Sequence, residues 1–197
     1  GLVGAMGLAG LRGFSTNVAG YRPLGVQCPS CPDGGYRNGY CLGPGRRDPC
    51  CGEACGPPRG YNPANNELNY AADLVAAANA LLGMDAHVII DTGRNGVPDM
   101  RKSCDSWCNP RGAGAGVPST AETANRSLVD AYFWIKTPGE SDGCSAELPS
   151  GDKCERFDDM CESEGSLGSG PGEPRAPQAG AWFDYQARQL AENARFE

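Results

Sequence analysis

The stretch of sequence that decides the fold is Leu-Val-Asp-Ala-Tyr-Phe-Trp-Ile-Lys-Thr-Pro-Gly-Glu-Ser-Asp-Gly-Cys, residues 128–144. Its first part, residues 128–136, is mostly β-branched, aromatic or aliphatic, which predicts a strand buried on both faces. Pro138 and Gly139 end that strand, because proline cannot donate to a β-ladder and glycine tolerates the turn. The stretch therefore predicts a central strand of an α/β fold that opens directly into a polar loop.

Three charged residues, Lys136, Glu140 and Asp142, lie where this strand ends. In open and barrel α/β folds the carboxyl ends of the strands are where ligands bind and chemistry is done. A lysine and a second carboxylate beside Asp142 can shift its pKa and fix its orientation. The alternative is a solvated loop that follows a core strand, and the segment alone does not decide between the two.

Length and composition restrict the class of protein. The 197 residues are expected to form one domain, and the net charge of −7 argues against binding to nucleic acid or anionic membrane surfaces. No apolar run approaches membrane-spanning length, and the glycine-rich start, residues 1–11, resembles an internal boundary more than a signal peptide. Eleven cysteines indicate an oxidising, extracellular compartment, and the odd number leaves one free or paired outside the chain. The Asn125-Arg126-Ser127 triplet, a candidate glycosylation site, fits secretion.

Residues 24–59 differ in character from the rest of the chain. They carry six cysteines among Gly, Pro and Arg, with few aliphatic side chains, so this segment cannot bury a core of its own. Cys28-Pro-Ser-Cys31 has the spacing of a zinc knuckle, but no histidine is nearby, and the adjacent Cys50-Cys51 pair suits disulfides better than tetrahedral zinc. We therefore predict a disulfide-linked surface insertion and no metal site.

The residues after the insertion predict an α/β unit. Asn62-Pro63 is expected to open a helix with apolar residues at helical spacing, and Gly83 is expected to end it. A buried strand, His87–Asp91, and a polar turn follow. The only histidine begins this strand, far from its carboxyl end, which favours a structural role.

Asn17 and Trp107 each allow two interpretations. Residues 10–21 predict a glycine turn and a short strand, after which Asn17 hydrogen-bonds a ligand or closes a turn. Trp107 lies in a long polar loop, residues 97–118, where it packs locally or offers its ring face to a sugar. A final amphipathic helix is predicted for residues 179–196.

The chemistry that these residues indicate is glycoside hydrolysis. Residues 139–143 fit the Gly-x-Ser-x-Gly pattern of serine hydrolases, but a proline precedes them, a cysteine loop follows them and the only histidine lies upstream. The sequence contains no phosphate-binding loop, dinucleotide fingerprint or His-Glu-x-x-His motif, so no cofactor is expected. Carboxylates at strand ends beside an aromatic ring suit a reaction that needs an acid, a base for water and a stacking surface.

Several blocks of the sequence resemble glycoside hydrolase family 6, whose members are inverting cellobiohydrolases and endoglucanases that act on β-1,4-glucan. The blocks occur in the family's order and cover nearly the whole chain except the insertion between Cys28 and Cys55. They are residues 11–19, 90–96, 107–110, 129–132, 134–143 and 178–183.

The resemblance implies a distorted, seven-stranded β/α barrel of the TIM-like kind, with substrate bound at the carboxyl ends of the strands. It implies that Asp142 is the general base and that Trp107 is a sugar-stacking platform. Residues implied to contact the substrate or lie near it are Lys136, Glu140, Asn17 and Arg94. The resemblance also implies a Cys108–Cys161 disulfide. The short loop between Cys144 and Cys154 predicts that these two cysteines pair with each other.

The chain resembles only the later part of the family domain, about three of its seven strands. The family's general acid falls before Gly1, and inversion needs two carboxyl groups about 6.5–9.5 Å apart. We therefore expect the 197 residues alone to be inactive, and a preceding segment or another chain to complete the barrel. The expected ligand is a β-glucan polysaccharide or cello-oligosaccharide. The alternative is a non-catalytic, cellulase-like binding or structural protein outside the cell or in its wall.

Overall fold

The computed structural model describes residues 10–26, 64, 66–98, 100–101 and 106–196. The elements follow one another as strand, helix, two strands, a short 3₁₀ helix and a final helix. They are β1 (Gly13–Thr16), α1 (Glu67–Leu82), β2 (His87–Asp91), β3 (Val129–Phe133), the 3₁₀ helix Asp159–Glu162 and α2 (Asp184–Glu192). Within these ranges no helix is both long and apolar enough to cross a membrane.

The three strands form one parallel sheet in the order β1-β2-β3. Gly13 of β1 lies opposite His87 of β2, and the register between β2 and β3 shifts between Val88 and Ile89. Because the strands are parallel, the loops that follow all three meet at one edge of the sheet. The α/β fold class predicted from the sequence is therefore observed over the described residues.

Helix α1 begins about one turn later than the sequence predicts. Asn66 is its N-cap, with extended backbone (φ −154°) and a side chain that accepts a hydrogen bond from the Asn69 amide at 2.9 Å. The expected cap, Asn62, lies outside the described residues. Gly83 ends the helix as predicted, in the left-handed conformation (φ 62°) that glycine adopts without steric cost.

Helix α1 packs against one face of the sheet and forms the core with it. The core residues of this layer are Leu68, Ala71, Val88, Ile90, Leu128, Val129 and Tyr132. The opposite face is more exposed, since Ile89 retains 37% and Phe133 51% of their accessible surface. The prediction of a central strand buried on both faces is therefore wrong for the described residues, because a helix covers only one of the two faces.

Strand β3 also ends earlier than predicted, at Phe133 rather than Lys136. After Phe133 the chain leaves the ladder: the Trp134 indole N–H donates to the Val117 carbonyl at 2.9 Å, and the Lys136 amide donates to the Asp91 carboxylate at 3.0 Å. After Phe133 the segment is thus held by a loop carbonyl and by a side-chain carboxylate instead of by backbone ladder hydrogen bonds.

A carboxylate joins the amino ends of the three strands. Asp130 accepts two hydrogen bonds from Arg12, at 2.9 and 3.0 Å, and its Oδ1 lies 2.8 Å from Nδ1 of His87. The Arg12 guanidinium holds the pKa of Asp130 below its usual value. His87 therefore lies at the edge of the sheet opposite the polar loops, in agreement with a structural role.

The start of the cysteine-rich insertion, predicted at residues 24–59, is bound to the start of helix α1. The Asn66 side chain donates to the Val26 carbonyl at 2.9 Å. The first two amides of α1 donate to the carbonyls of Pro23 and Leu24 at 3.1 and 3.2 Å. The six cysteines of the insertion, and their pairing, lie outside the described residues.

Among the described residues, two disulfides cross-link the second half of the chain. They are Cys108–Cys161 and Cys144–Cys154, the two pairs that the sequence analysis predicts. Helix α2 is shorter than the helix predicted for residues 179–196, and its buried side chains are Gln186 and Leu190.

Candidate active site

One buried carboxylate holds the loops at the carboxyl edge of the sheet. Asp91, the last residue of β2, is 3% exposed. Its Oδ2 accepts hydrogen bonds from the amides of Ala19 and Lys136, at 3.2 and 3.0 Å, and its Oδ1 accepts one from Gly93 at 2.9 Å. These amides belong to the loops after β1, β3 and β2, so Asp91 fixes the relative positions of all three loops.

Asp142, the predicted general base, lies in the loop after β3 and is bound by three donors. Arg94 donates to its Oδ1 at 2.7 Å, and the Tyr21 hydroxyl and the Asn109 amide donate to its Oδ2 at 2.5 and 3.0 Å. The Asp142 side chain retains 9% of its accessible surface. The carboxylate is thus oriented and its charge balanced, while a small part of it still faces solvent.

Arg94 and Tyr21 form a stacked pair beside Asp142. The Arg94 side chain is 1% exposed, lies 4.3 Å from the centre of the Tyr21 ring and also donates to the Ala19 carbonyl. Burial, reinforced by the charge of Asp142, raises the pKa of Tyr21 well above its usual value. The phenol therefore keeps its proton and acts as a donor. Arg94, expected near the cleft, supports Asp142 from within the protein.

Asn109 links two loops of the site. Its φ of 40° lies in the left-handed region, which asparagine tolerates better than most residues. Its Oδ1 accepts a hydrogen bond from the Asp142 amide at 2.7 Å, and its Nδ2 donates to the Gly143 carbonyl at 2.9 Å. Gln186 of α2 donates to both the Tyr21 hydroxyl and Asn109 Oδ1, at 3.3 Å each. The final helix therefore supports the site directly.

Lys136 and Glu140 bind each other. Nζ of Lys136 lies 2.7 Å from Oε2 of Glu140, and both side chains are partly exposed at the carboxyl edge. The hydrogen bond from Lys136 lowers the pKa of Glu140. The sequence predicts that Lys136 and Glu140 can shift the pKa of Asp142 and fix its orientation, but in the structure Arg94 binds Asp142 while Lys136 binds Glu140.

Asn17 closes a turn. It adopts a left-handed backbone (φ 55°), and its Nδ2 donates to the Asp91 carbonyl at 2.9 Å. Its Oδ1 accepts a hydrogen bond from the Arg22 amide at 3.2 Å. Of the two interpretations left open by the sequence, these contacts favour the turn over direct ligand binding.

Trp107 contributes an exposed ring next to the Asp142 loop. The residue is 41% exposed, and its Cη2 lies 3.8 Å from the position that a Cβ on Gly143 would take. That same Cβ would come within 2.5 Å of Sγ of Cys161, which explains why a glycine precedes the disulfide-linked loop. The ring is therefore placed beside the loop and is partly free to meet a ligand.

Other predicted features can be placed as well. Ser141, at the centre of the Gly-x-Ser-x-Gly pattern, is fully buried and its hydroxyl donates to the Gly143 carbonyl at 2.8 Å, so it is not placed as a nucleophile. Among the described residues no group of three or more His, Cys, Asp or Glu side chains is arranged to hold a metal ion. Asn125 accepts hydrogen bonds from the Ser127 amide and hydroxyl at 3.1 and 2.7 Å, and its glycosylation stays a prediction.

Four residues that hold the site are not singled out by the sequence analysis: Tyr21, Asp91, Asn109 and Gln186. Asp91 and Asn109 lie in blocks that resemble the family, and that signal could have found them. Tyr21 lies 121 residues from Asp142, and Gln186 lies 165 residues from Tyr21. No local pattern marks contacts of that length.

One family model and several curated protein sequences match the sequence of this chain. The sequence model of the family "Glycosyl hydrolases family 6" matches residues 53–194. Over 94% of its length the chain is 38% identical to the probable 1,4-beta-D-glucan cellobiohydrolase C of Aspergillus terreus, and over 93% it is 34% identical to the 1,4-beta-D-glucan cellobiohydrolase CEL6C of Podospora anserina. These matches cover 32% and 37% of those proteins, so the chain spans about a third of the length of the curated relatives it matches.

Solved structures agree with the sequence comparison. The catalytic core domain of the cellobiohydrolase Cel6A from Chaetomium thermophilum matches with a TM-score of 0.65 and 31% identity, over 95% of this chain and 41% of that one. Cellobiohydrolase II (Cel6A) from Humicola insolens, in complex with glucose and cellotetraose, matches with a TM-score of 0.64 and 30% identity, over 94% and 41% of the two chains. The three-stranded sheet and its carboxyl-edge loops therefore have counterparts in larger α/β domains.

Proposed function

Because the chain belongs to the glycosyl hydrolases family 6, we propose that it is part of the catalytic domain of a cellulase that hydrolyses β-1,4-glucosidic bonds in cellulose or a related β-glucan. The observation that carries this proposal is the position of the exposed Trp107 ring beside Gly143, which directly follows the hydrogen-bonded Asp142. The matching relatives are cellobiohydrolases, which favours an enzyme over a non-catalytic wall protein. Secretion is part of the proposal and is supported by the two disulfides.

In the proposed mechanism Asp142 is the general base of an inverting hydrolysis. It takes a proton from a water molecule, whose oxygen bonds to the anomeric carbon as the bond from that carbon to the glycosidic oxygen breaks. Arg94, Tyr21 and Asn109 hold the carboxylate in place, and the raised pKa of Tyr21 keeps the phenol proton where it is. The small exposed part of Asp142 is where the water would approach.

The leaving oxygen must receive a proton from a second carboxylic acid, about 6.5–9.5 Å from the first. We place this acid outside the 197 residues, in a preceding segment or another chain that also completes a seven-stranded barrel. Two observations support this placement. The sheet face that carries Ile89 and Phe133 is partly exposed, and within the described residues β1 and β3 each have one neighbouring strand.

Substrate contacts are proposed for Trp107 and for the Lys136–Glu140 pair. The ring face of Trp107 would stack on the C–H face of a glucosyl unit, and the partly exposed ion pair offers a donor and an acceptor to its hydroxyl groups. Arg94 and Asn17 are proposed to support the cleft without touching the substrate, because the Arg94 side chain is 1% exposed and the Asn17 amide already binds the protein.

The test compares hydrolysis of a soluble β-glucan by the 197-residue chain and by the chain extended with the coding sequence that precedes Gly1. NMR would follow the configuration of the new reducing end. We expect hydrolysis with inversion from the extended protein and none from the shorter one. Strong activity of the shorter chain would contradict the location of the acid, and inactivity of both without cello-oligosaccharide binding would contradict the function.

A further inference from the structure

A second groove, separate from the Asp142 site, lies at the start of helix α2. Its volume is about 380 Å³, within the range of roughly 300–1,000 Å³ that small-molecule sites occupy. Aromatic and proline rings form most of its wall: Trp182, Phe183, Tyr185, Pro149, Pro174 and Pro177. The groove is therefore lined mainly by flat, apolar surfaces.

Trp182 is the most exposed aromatic residue that lines this groove, and its backbone is held in place. It is 58% exposed, yet the backbone on both sides is held, because the Ser141 amide donates to the Ala181 carbonyl and the Phe183 amide donates to the Gly139 carbonyl, at 2.8 Å each. The edge of its ring lies so close to Gly139 that an added Cβ there would come within 2.7 Å of Cζ3 and Cη2. A large side chain that is held in place and still exposed indicates a binding surface.

The charges at the rim of the groove are paired with each other. Arg188 binds Asp184 at 2.7 Å, and Arg175 binds Glu147 at 3.1 Å. The two pairs carry no net charge, so they offer donors and acceptors to hydroxyl groups without selecting an anion or a cation. This rim favours a neutral ligand that is rich in hydroxyl groups.

One loop connects the groove with the proposed active site. Glu140 and Trp182 form a backbone bridge, and Glu140 is two residues before Asp142 in the loop after β3. The loop that carries Asp142 is therefore bound directly to the segment that carries Trp182. Because the two sites share this loop, the β-glucan proposed for the Asp142 site is the neutral, hydroxyl-rich ligand that we assign to the groove.

We propose that the groove is a second binding site for a β-1,4-glucan chain, with the Trp182 ring stacked on a glucosyl unit and the paired rim charges bound to its hydroxyl groups. A β-1,4-linked chain is flat and presents C–H faces that match an aromatic surface. The choice of glucan rests on the proposed function. The second site holds the chain outside the Asp142 cleft and takes no part in the chemical step.

The test is an NMR titration, with cellohexaose, of the protein extended with the sequence that precedes Gly1, in which the indole N–H signals of Trp107 and Trp182 are assigned from Trp→Phe variants. We expect the Trp182 signal to shift. Trp182→Ala should weaken binding at this groove about tenfold, which corresponds to about 1.4 kcal/mol. Trp182→Phe should retain most of the affinity, because it keeps a flat ring. Leu81→Ala, at an 82% exposed position on α1, is the matched control and should change nothing.

The outcomes separate this inference from the proposed function. A shifted Trp107 signal with an unmoved Trp182 signal would overturn the second site and leave the function standing. If neither signal moves and the protein is also inactive, the proposed function fails as well. An equal response of Trp182 to α-linked maltohexaose, or a Trp182 signal that moves with protein concentration alone, would assign the groove to another ligand or to self-association.

Discussion

Arg94 and Asp142 form a buried ion pair, in which Nη1 lies 2.7 Å from Oδ1 and the two side chains are 1% and 9% exposed. Removing one partner of such a pair leaves the other as an uncompensated buried charge, whereas replacing both by apolar residues costs much less. The stability of the fold and the charge and orientation of the Asp142 carboxylate therefore depend on the same contact.

A double-mutant cycle tests this link. We expect Arg94→Leu and Asp142→Leu each to lower the free energy of unfolding by roughly 3–5 kcal/mol, and the double variant to lose clearly less than the sum. Urea denaturation gives these values. Arg188→Leu breaks an exposed pair with Asp184 and should cost much less. Additive losses in the cycle would contradict the coupling.

The role of Asp142 as the base is tested by Asp142→Asn in the extended protein. We expect turnover to fall by roughly 10²–10⁴, the usual contribution of a positioned acid or base. Affinity for cello-oligosaccharide should change little, because a base that acts through water contributes mainly in the transition state. Tyr21→Phe removes one donor and leaves the carboxylate, so its loss of turnover should be smaller. An Asp142→Asn protein that is folded, by circular dichroism, and fully active would exclude Asp142 as the base.

Trp107→Ala tests the stacking platform. Covering about 100 Å² of the ring face should contribute roughly 2–3 kcal/mol, so calorimetry with cellohexaose should show a corresponding loss of affinity. Trp107→Phe should keep part of that affinity, and the circular dichroism spectrum should not change for either variant. An unchanged affinity of the alanine variant would assign Trp107 to packing alone.

We expect Glu67, the first residue of α1, to make the stability of the fold depend on pH. It is 4% exposed, and burial raises its pKa from 4.5 to about 7. Below pH 4.5 it is protonated in the folded and unfolded states alike. As the pH rises from 4.5 to 7 the unfolded chain loses the proton first, so stability falls, by up to roughly 3 kcal/mol.

Glu67→Gln should remove this pH dependence, because the amide stays neutral. We expect the variant to be more stable than the original protein at pH 8 and similar to it at pH 4.5, as measured by urea denaturation. Glu192→Gln, at an exposed position of α2, is the control and should leave the dependence unchanged. Equal slopes for Glu67→Gln and the original protein between pH 4.5 and 7 would refute the assignment.

Features with a local signal can be predicted from the sequence. Strand β2 is predicted and observed at His87–Asp91, because a short apolar run between a helix stop and a polar turn has few other interpretations. Gly83 ends α1 as predicted, since its left-handed backbone favours glycine. The resemblance to the family adds what local patterns lack, including the pairing of Cys108 with Cys161.

The contacts that hold the site cannot be predicted in this way, because they join distant parts of the chain. Asp91 binds the backbone amides of three loops. Every residue except proline has such an amide, so the residue types do not show which amides will be bound. The exposed face of β3 is missed for a related reason. The apolar composition of β3 shows that its side chains can be buried. Whether Phe133 is in fact buried depends on which other element packs against that face.

Asn66 binds the backbone of Val26 at 2.9 Å, so the polypeptide leaves the sheet-and-helix unit and returns to it at nearly the same place. The entropy cost of closing a loop grows slowly with its length, by about 0.6 kcal/mol for each doubling. A longer or shorter connection between these two residues should therefore cost the sheet little stability. For the same reason this connection is a natural position at which a label or a foreign domain could be grafted.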